Sequence, residues 1–226
     1  MSGWSNPHIV DWFGDYARTA FQLFGDRVKY WITMNEPYQV CNQGYGDIVK
    51  APMLNIKGVA EYICAKNLLL AHARAYHIYD EGFRSTQEGA IFISFSAQWY
   101  KPASENDTEA ANEHNDFQWQ FIDALIEDIS CTGGNKSAKA FLYRNESVYG
   151  YYESPSFGDD LEALTYQKSE WIIDESEYIR YIPWGFHKLL TKIRRDYNNP
   201  PIIITENGFG THGGLNDDDR VTYYKG

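Results

Sequence analysis

Two glutamates stand directly after short apolar runs, in Thr33-Met34-Asn35-Glu36-Pro37 and in Ile204-Thr205-Glu206-Asn207-Gly208. Each has an Asn beside it and a chain-bending Pro or Gly close behind, so both carboxylates are held at stiff turns with an amide nearby. In parallel α/β folds the reacting groups gather at the carboxyl ends of strands, which makes two glutamates so placed candidates for one shared task. Glycosidic bond cleavage is a chemistry that needs such a pair. One carboxyl donates a proton to the leaving oxygen while the other, ionised, attacks or steadies the oxocarbenium-like centre. A helix cap or a surface charge is the plainer reading of either glutamate alone; the repeated flanking pattern argues for a joint role.

The elements that would carry these turns are legible in the apolar periodicity. A helix is expected from Asn6 to Gly25, capped by Asn6 with Pro7 in its first turn, followed by a strand at Tyr30-Trp31-Ile32-Thr33. A second helix is expected from Lys57 to Tyr79 with Gly82 as its stop, a strand at Ala90 to Phe95, and a helix from Thr108 to Ile126. The pattern weakens from Ser130 to Lys168, which reads as loop with one strand at Ala140 to Tyr143. Order returns between Tyr178 and Tyr197, with Pro183 suited to a helix start, and Ile202 to Thr205 reads as a very apolar strand. Helices alternating with short apolar strands predict an α/β sheet covered on both faces, barrel or open.

Composition narrows the classes. A chain of 226 residues with 43% hydrophobic content supports one sizeable core, and a net charge of -11 argues against a nucleic-acid partner. No run approaches the length of a membrane helix, and the opening residues lack the regions of a signal peptide. Cys41, Cys64 and Cys131 are odd in number and widely spaced, indicating neither a zinc site nor a complete disulfide framework, with at least one thiol left over.

The two motifs, and the nearly continuous stretches from Gly3 to Pro102 and from Tyr143 onward, resemble glycoside hydrolase family one, the β-glucosidase group, and in particular its insect members. That family ends its fourth barrel strand in Thr-x-Asn-Glu-Pro and its seventh in Ile-Thr-Glu-Asn-Gly; here Met34 stands where Phe is usual. The resemblance implies Glu36 as general acid and base, Glu206 as nucleophile, and Asn35 as the holder of the sugar 2-hydroxyl. It implies a retaining double displacement with the carboxyl groups about 5 to 5.5 Å apart, no metal or organic cofactor, and a β-glycoside small molecule or oligosaccharide as partner. It also implies a single incomplete domain over residues 1–226, a partial (β/α)8 barrel of roughly strands four to seven, since a whole barrel takes about 250 residues. The first three strands and the eighth are expected to be absent, and the region around strand six is shortened: the family's Asn-x-Tyr has no match between Ile126 and Asn145. Such a partial barrel exposes strand edges and apolar faces, so this chain alone is expected to have little or no activity. A non-catalytic sugar- or protein-binding relative is the alternative.

Other residues complete the reading. Trp99 and Tyr100 follow the second apolar run and either line a site for the sugar's aglycone or serve packing, while Trp184 is expected in the core. His72 and His77 fall on different helix faces, which disfavours a metal site. Asp217-Asp218-Asp219 reads as a solvated loop. Sequons at Asn106, Asn135 and Asn145 are weak signs of N-glycosylation and fit a secreted full-length parent.

Overall fold

The computed structural model describes residues 2–112, 114–116 and 165–225. The chain divides into two compact units, Met1–Ser96 with Pro102–Ala163, and Ala97–Lys101 with Leu164–Gly226.

The first unit is built on helix α1 (Ile9–Phe24), strand β1 (Tyr30–Asn35), a short helix α2 (Pro37–Cys41), the long helix α3 (Ala60–Gly82), helix α4 (Arg84–Gln87) and strand β2 (Ala90–Ser94). Asn6 acts one turn ahead of α1: its side chain accepts the His8 amide at 3.0 Å and its carbonyl accepts Ile9 N at 3.0 Å. Gly14, Ala17 and Phe21 recur at helical spacing and form the buried stripe of α1. Gly14 belongs on that stripe because a side chain there would come within 2.9 Å of Arg74 Cγ on α3. Beyond it, Phe21 meets Trp31, Tyr79 and Phe83 edge-on with ring centroids 5.0, 5.0 and 5.6 Å away, an arrangement worth more than apolar burial alone.

Strands β1 and β2 pair in parallel, Tyr30 with Ala90, Trp31 with Ile91 and Ile32 with Phe92, and the register breaks before Asn35 meets Ser94. Parallel pairing requires a crossover between the strands, and α3 lies in it. Its buried face is broad, from Ala60 and Cys64 through Leu68 and Ala71 to Tyr79. A disulfide joins Cys41 on α2 to Cys64 on α3. Cysteine spacing alone did not indicate this pair, because the two halves come together only through the packing of α2 on α3; Cys131 lies outside the described residues.

The helix expected from Thr108 is present at residues 108–112 and 114–116; its continuation to Ile126 and the expected strand at Ala140 to Tyr143 lie outside the described residues. So does the shortened region assigned to strand six.

In the second unit, helix α5 (Pro183–Asp196) begins at the expected proline, whose missing N–H costs nothing in a first turn. Helix α6 (Asp218–Lys225) replaces the solvated loop expected around Asp217 to Asp219. Asp217 Oδ1 accepts Arg220 N at 3.3 Å and its carbonyl accepts Val221 N at 3.1 Å, while Asp218 and Asp219 place negative charge in the first turn. The acidic run is therefore a helix start. Ile202 to Thr205 carries no strand pairing, and Ile202, Ile203 and Ile204 stand 44, 50 and 52% exposed. A parallel strand is defined by its neighbours, and among the described residues none pairs with this run. Trp184, expected in the core, is 40% exposed and touches Trp171 edge-on at 6.4 Å.

Candidate active site

Glu36 closes β1. The register break lies between Ile32 and Asn35, the Glu36 amide donates to Ser94 O on β2 at 2.9 Å, and its carbonyl accepts Val40 N at 3.0 Å in α2. Its backbone lies in the left-handed region, φ 48° and ψ 61°. A side chain other than glycine adopts that conformation at a cost of about 1 to 3 kcal/mol, and such residues persist where the surroundings over-determine them. Pro37, fully buried, fixes the following turn, and the disulfide anchors the far end of α2. The Glu36 side chain is partly buried and Asn35, beside it, is exposed.

Behind this turn, the Thr33 hydroxyl and His72 Nδ1 share a hydrogen bond of 2.6 Å, and Thr33 Oγ1 lies 3.3 Å from Phe92 O. Sequence periodicity placed His72 on α3 without showing this link, which ties the helix to the strand that delivers Glu36. Burial pushes the His72 imidazole down to about 4 from its ordinary 6.5. The unfolded chain therefore binds this proton more tightly than the folded one, so stability is full above about pH 6.5 and falls as the pH drops toward 4. Urea unfolding at pH 7 and pH 5 is expected to differ by about 2 kcal/mol from this group, at about 1.4 kcal/mol per pKa unit. In His72→Gln that part of the slope disappears; an unchanged slope removes His72 as its source.

Glu206 belongs to the second unit and is exposed. The residues after it are closely tied. Tyr223 Oη donates to Asn207 Oδ1 at 2.6 Å and Tyr224 Oη to Asn207 O at 2.9 Å, both from α6. Phe209 is buried and stacks on Tyr223 at 5.2 Å. Gly210 N donates to Asp174 Oδ2 at 3.2 Å, and Glu175 N donates to Gly210 O at 3.1 Å.

Trp99 and Tyr100 lie in the same unit as Glu206, both partly buried. Lys188 Nζ of α5 sits 5.9 Å from the Trp99 ring centre, and the Tyr100 hydroxyl donates to the Gln98 side chain. Asn106 is exposed; Asn135 and Asn145 lie outside the described residues. Among the described residues no group of three or more His, Cys, Asp or Glu side chains is placed to hold a metal ion, and no helix is long and apolar enough to cross a membrane.

Comparison with known proteins settles the kinship. The description "Glycosyl hydrolase family 1" matches residues 1–173 and again 142–226, so the match runs through both units. The chain belongs to glycosyl hydrolase family 1. Among relatives of this family 1 chain, myrosinase 1 of the aphid Brevicoryne brassicae is 33% identical over 263 aligned positions, covering 100% of the chain and 56% of the relative. Rat lactase/phlorizin hydrolase is 33% identical, with 100% of the chain matched to 14% of that protein. Among solved structures, a rice β-glucosidase superposes with a TM-score of 0.81 at 27% identity, over 99% of the chain and 58% of the other. An aphid myrosinase superposes with a TM-score of 0.76 at 32% identity, over 99% and 56%. The family 1 chain thus has the fold of part of such an enzyme and spans about half the length of the aphid relative.

Sequence reasoning singled out Glu36, Asn35 and Glu206 as candidates through their motifs and did not single out Asp174, Tyr223 and Tyr224, which hold the segment after Glu206. Asp174 bonds the amides of Tyr178 and Ile179, four and five residues on, and that of the remote Gly210, so no short local pattern marks it. Nothing local marks the two tyrosines, which reach Asn207 across 16 and 17 residues of chain.

Proposed function

We propose that this chain carries the two reacting carboxylates of a retaining β-glycosidase acting on terminal β-D-glucosidic or galactosidic bonds, in one incomplete barrel domain. The observation that carries the reading is the Glu36 turn: a glutamate held in left-handed backbone at the carboxyl end of a parallel strand, beside Asn35. A cap or a surface charge needs no such conformation.

In the first step the Glu206 carboxylate attacks the anomeric carbon while the Glu36 carboxyl gives its proton to the glycosidic oxygen, and the aglycone leaves as an alcohol. The sugar is then an ester of Glu206. In the second step the Glu36 carboxylate takes a proton from water, whose oxygen attacks the anomeric carbon and frees Glu206 with the configuration retained. Asn35 holds the 2-hydroxyl, and Trp99 and Tyr100 offer aromatic faces to the aglycone. The share of the relatives that this chain spans supports an activity far below theirs.

Incubation of the chain with 2,4-dinitrophenyl 2-deoxy-2-fluoro-β-glucoside is expected to add one fluoroglucosyl group to the peptide containing Glu206. No adduct, under conditions that label a full-length relative, sinks the catalytic reading for this chain and leaves the binding relative in its place. The Cys41–Cys64 disulfide and the exposed Asn106 sequon support passage through an oxidising, secretory route. Spectra of protein recovered from a secretory host read this too; Asn106 without glycan there withdraws its support.

A further inference from the structure

Asp174 lies outside both motifs and is 4% exposed, an unusual place for a carboxylate in so open a unit. Its environment explains why it is tolerated. Oδ1 accepts Tyr178 N and Ile179 N, each at 3.0 Å, closing the turn from Asp174 to Ile179. Oδ2 accepts the Ser176 hydroxyl and Gly210 N at 3.2 Å. Burial raises this carboxyl, but the Ser176 hydroxyl and the amides of Ile179, Gly210 and Tyr178 together hold it below the ordinary carboxylate value. Three of these donors are local; the fourth crosses 36 residues to the segment that follows Glu206.

Of the four residues after Glu206, Asn207 is held by two tyrosine hydroxyls, Phe209 by stacking, and Gly210 at both its amide and its carbonyl. Removing Asp174 unfastens the far end of that chain of contacts. The fit is close: a Cβ on Gly210 would lie 2.8 Å from Asp174 Oδ2, nearer than real Cβ atoms come. Residue 210 is thereby kept small and its amide aimed at the carboxylate.

We propose that Asp174 is a positioning residue for Glu206, its carboxylate fixing the backbone of residues 207–210 so that the glutamate one step upstream is presented in a single orientation. This rests on the nucleophile reading of Glu206. A reacting carboxylate on an irregular segment needs outside support to stay within about 0.5 Å of its working place, and a buried ionised anchor supplies stronger hydrogen bonds than a neutral one.

Hydrogen exchange of the intact chain, followed by mass spectrometry, tests the anchor without requiring activity. Asp174→Asn keeps the shape but exchanges one acceptor oxygen for a donor. Exchange in the peptide covering residues 205–210 is expected to rise about 10- to 100-fold, while α5 keeps its protection. Unchanged exchange there overturns the proposal. If α5 also loses protection, the decision passes to Gly210→Ala, which drives a methyl onto Oδ2 and breaks the long-range link while leaving Ser176, Tyr178 and Ile179 to bond Asp174. Exchange at residues 205–210 is then expected to rise about 10-fold or more with α5 protected, and unchanged exchange overturns the anchor.

Labelling by the fluoroglucoside separates positioning from simple stability. In Asp174→Asn the maximal labelling rate is expected to fall about 10-fold or more, with the half-saturating concentration changed less than about twofold. A loosened segment that labels at the original rate overturns positioning. If the unaltered chain does not label Glu206, the nucleophile reading and the positioning role fall together, and exchange still decides whether Asp174 holds the segment.

Discussion

Glu206→Gln is expected to abolish covalent labelling by the fluoroglucoside, and Glu36→Gln to leave it measurable. The difference follows from what each group must do. An amide is a very poor nucleophile toward an anomeric carbon, so without the Glu206 carboxylate no ester forms, and a loss of at least about 10⁴-fold is the scale seen when a nucleophile is removed. In the proposed mechanism Glu36 supplies a proton. A dinitrophenolate departs without one, so labelling survives Glu36→Gln, whereas a glucoside with an alkyl alcohol as leaving group loses about 10² to 10⁴-fold. Azide, which attacks the ester without needing a base, should speed release of sugar from the Glu36→Gln adduct. Equal labelling of Glu206→Gln and the unaltered chain is the outcome that defeats the assignment, and identical losses with both leaving groups would remove Glu36 from the role of acid.

The second large effect concerns stability. Replacing both Cys41 and Cys64 with Ala is expected to lower the unfolding free energy by about 3 kcal/mol, the scale for opening a loop of this length. The double substitution is the right comparison, because a single one leaves a thiol that is free to pair elsewhere. The bridge closes the segment from the end of α2 to the start of α3, and exchange at residues 36–46 is expected to accelerate more than at the Phe21, Trp31 and Tyr79 cluster. Urea midpoints of the oxidised chain and the double variant give the number. Coincident midpoints would mean that packing of Leu68, Ala71 and Met34 alone holds α2 in place.

The sequence spoke clearly where local chemistry and burial agree. Pro183 opens α5 because proline suits a first turn, and the apolar stripes of α1 and α3 appear because each helix buries one side. Glu36 and Glu206 were marked as candidates by their Asn and Pro or Gly neighbours, and their roles are what the labelling experiment decides. Elsewhere the outcome depends on partners far along the chain. Ile202 to Thr205 has every property of a strand except a neighbour among the described residues, and pairing is not a property of four residues. Asp217 read as solvated because its composition is polar, yet it starts α6 by catching Arg220 N. The Cys41–Cys64 pair could not be chosen from three cysteines, since the choice is made by where α2 lands on α3. Asp174 was hidden for the same reason: its decisive donor, Gly210, is remote in sequence.

If Glu36 is the acid proposed above, the dihedral angles at residue 36 set durability and chemistry against each other. Glycine adopts that geometry without strain, so a screen of this chain for heat resistance alone would favour Gly there and discard the acid in doing so. Survivors of such a screen would be hardier proteins and poorer catalysts, and a glutamate retained at that spot is a sign that something other than toughness was being kept.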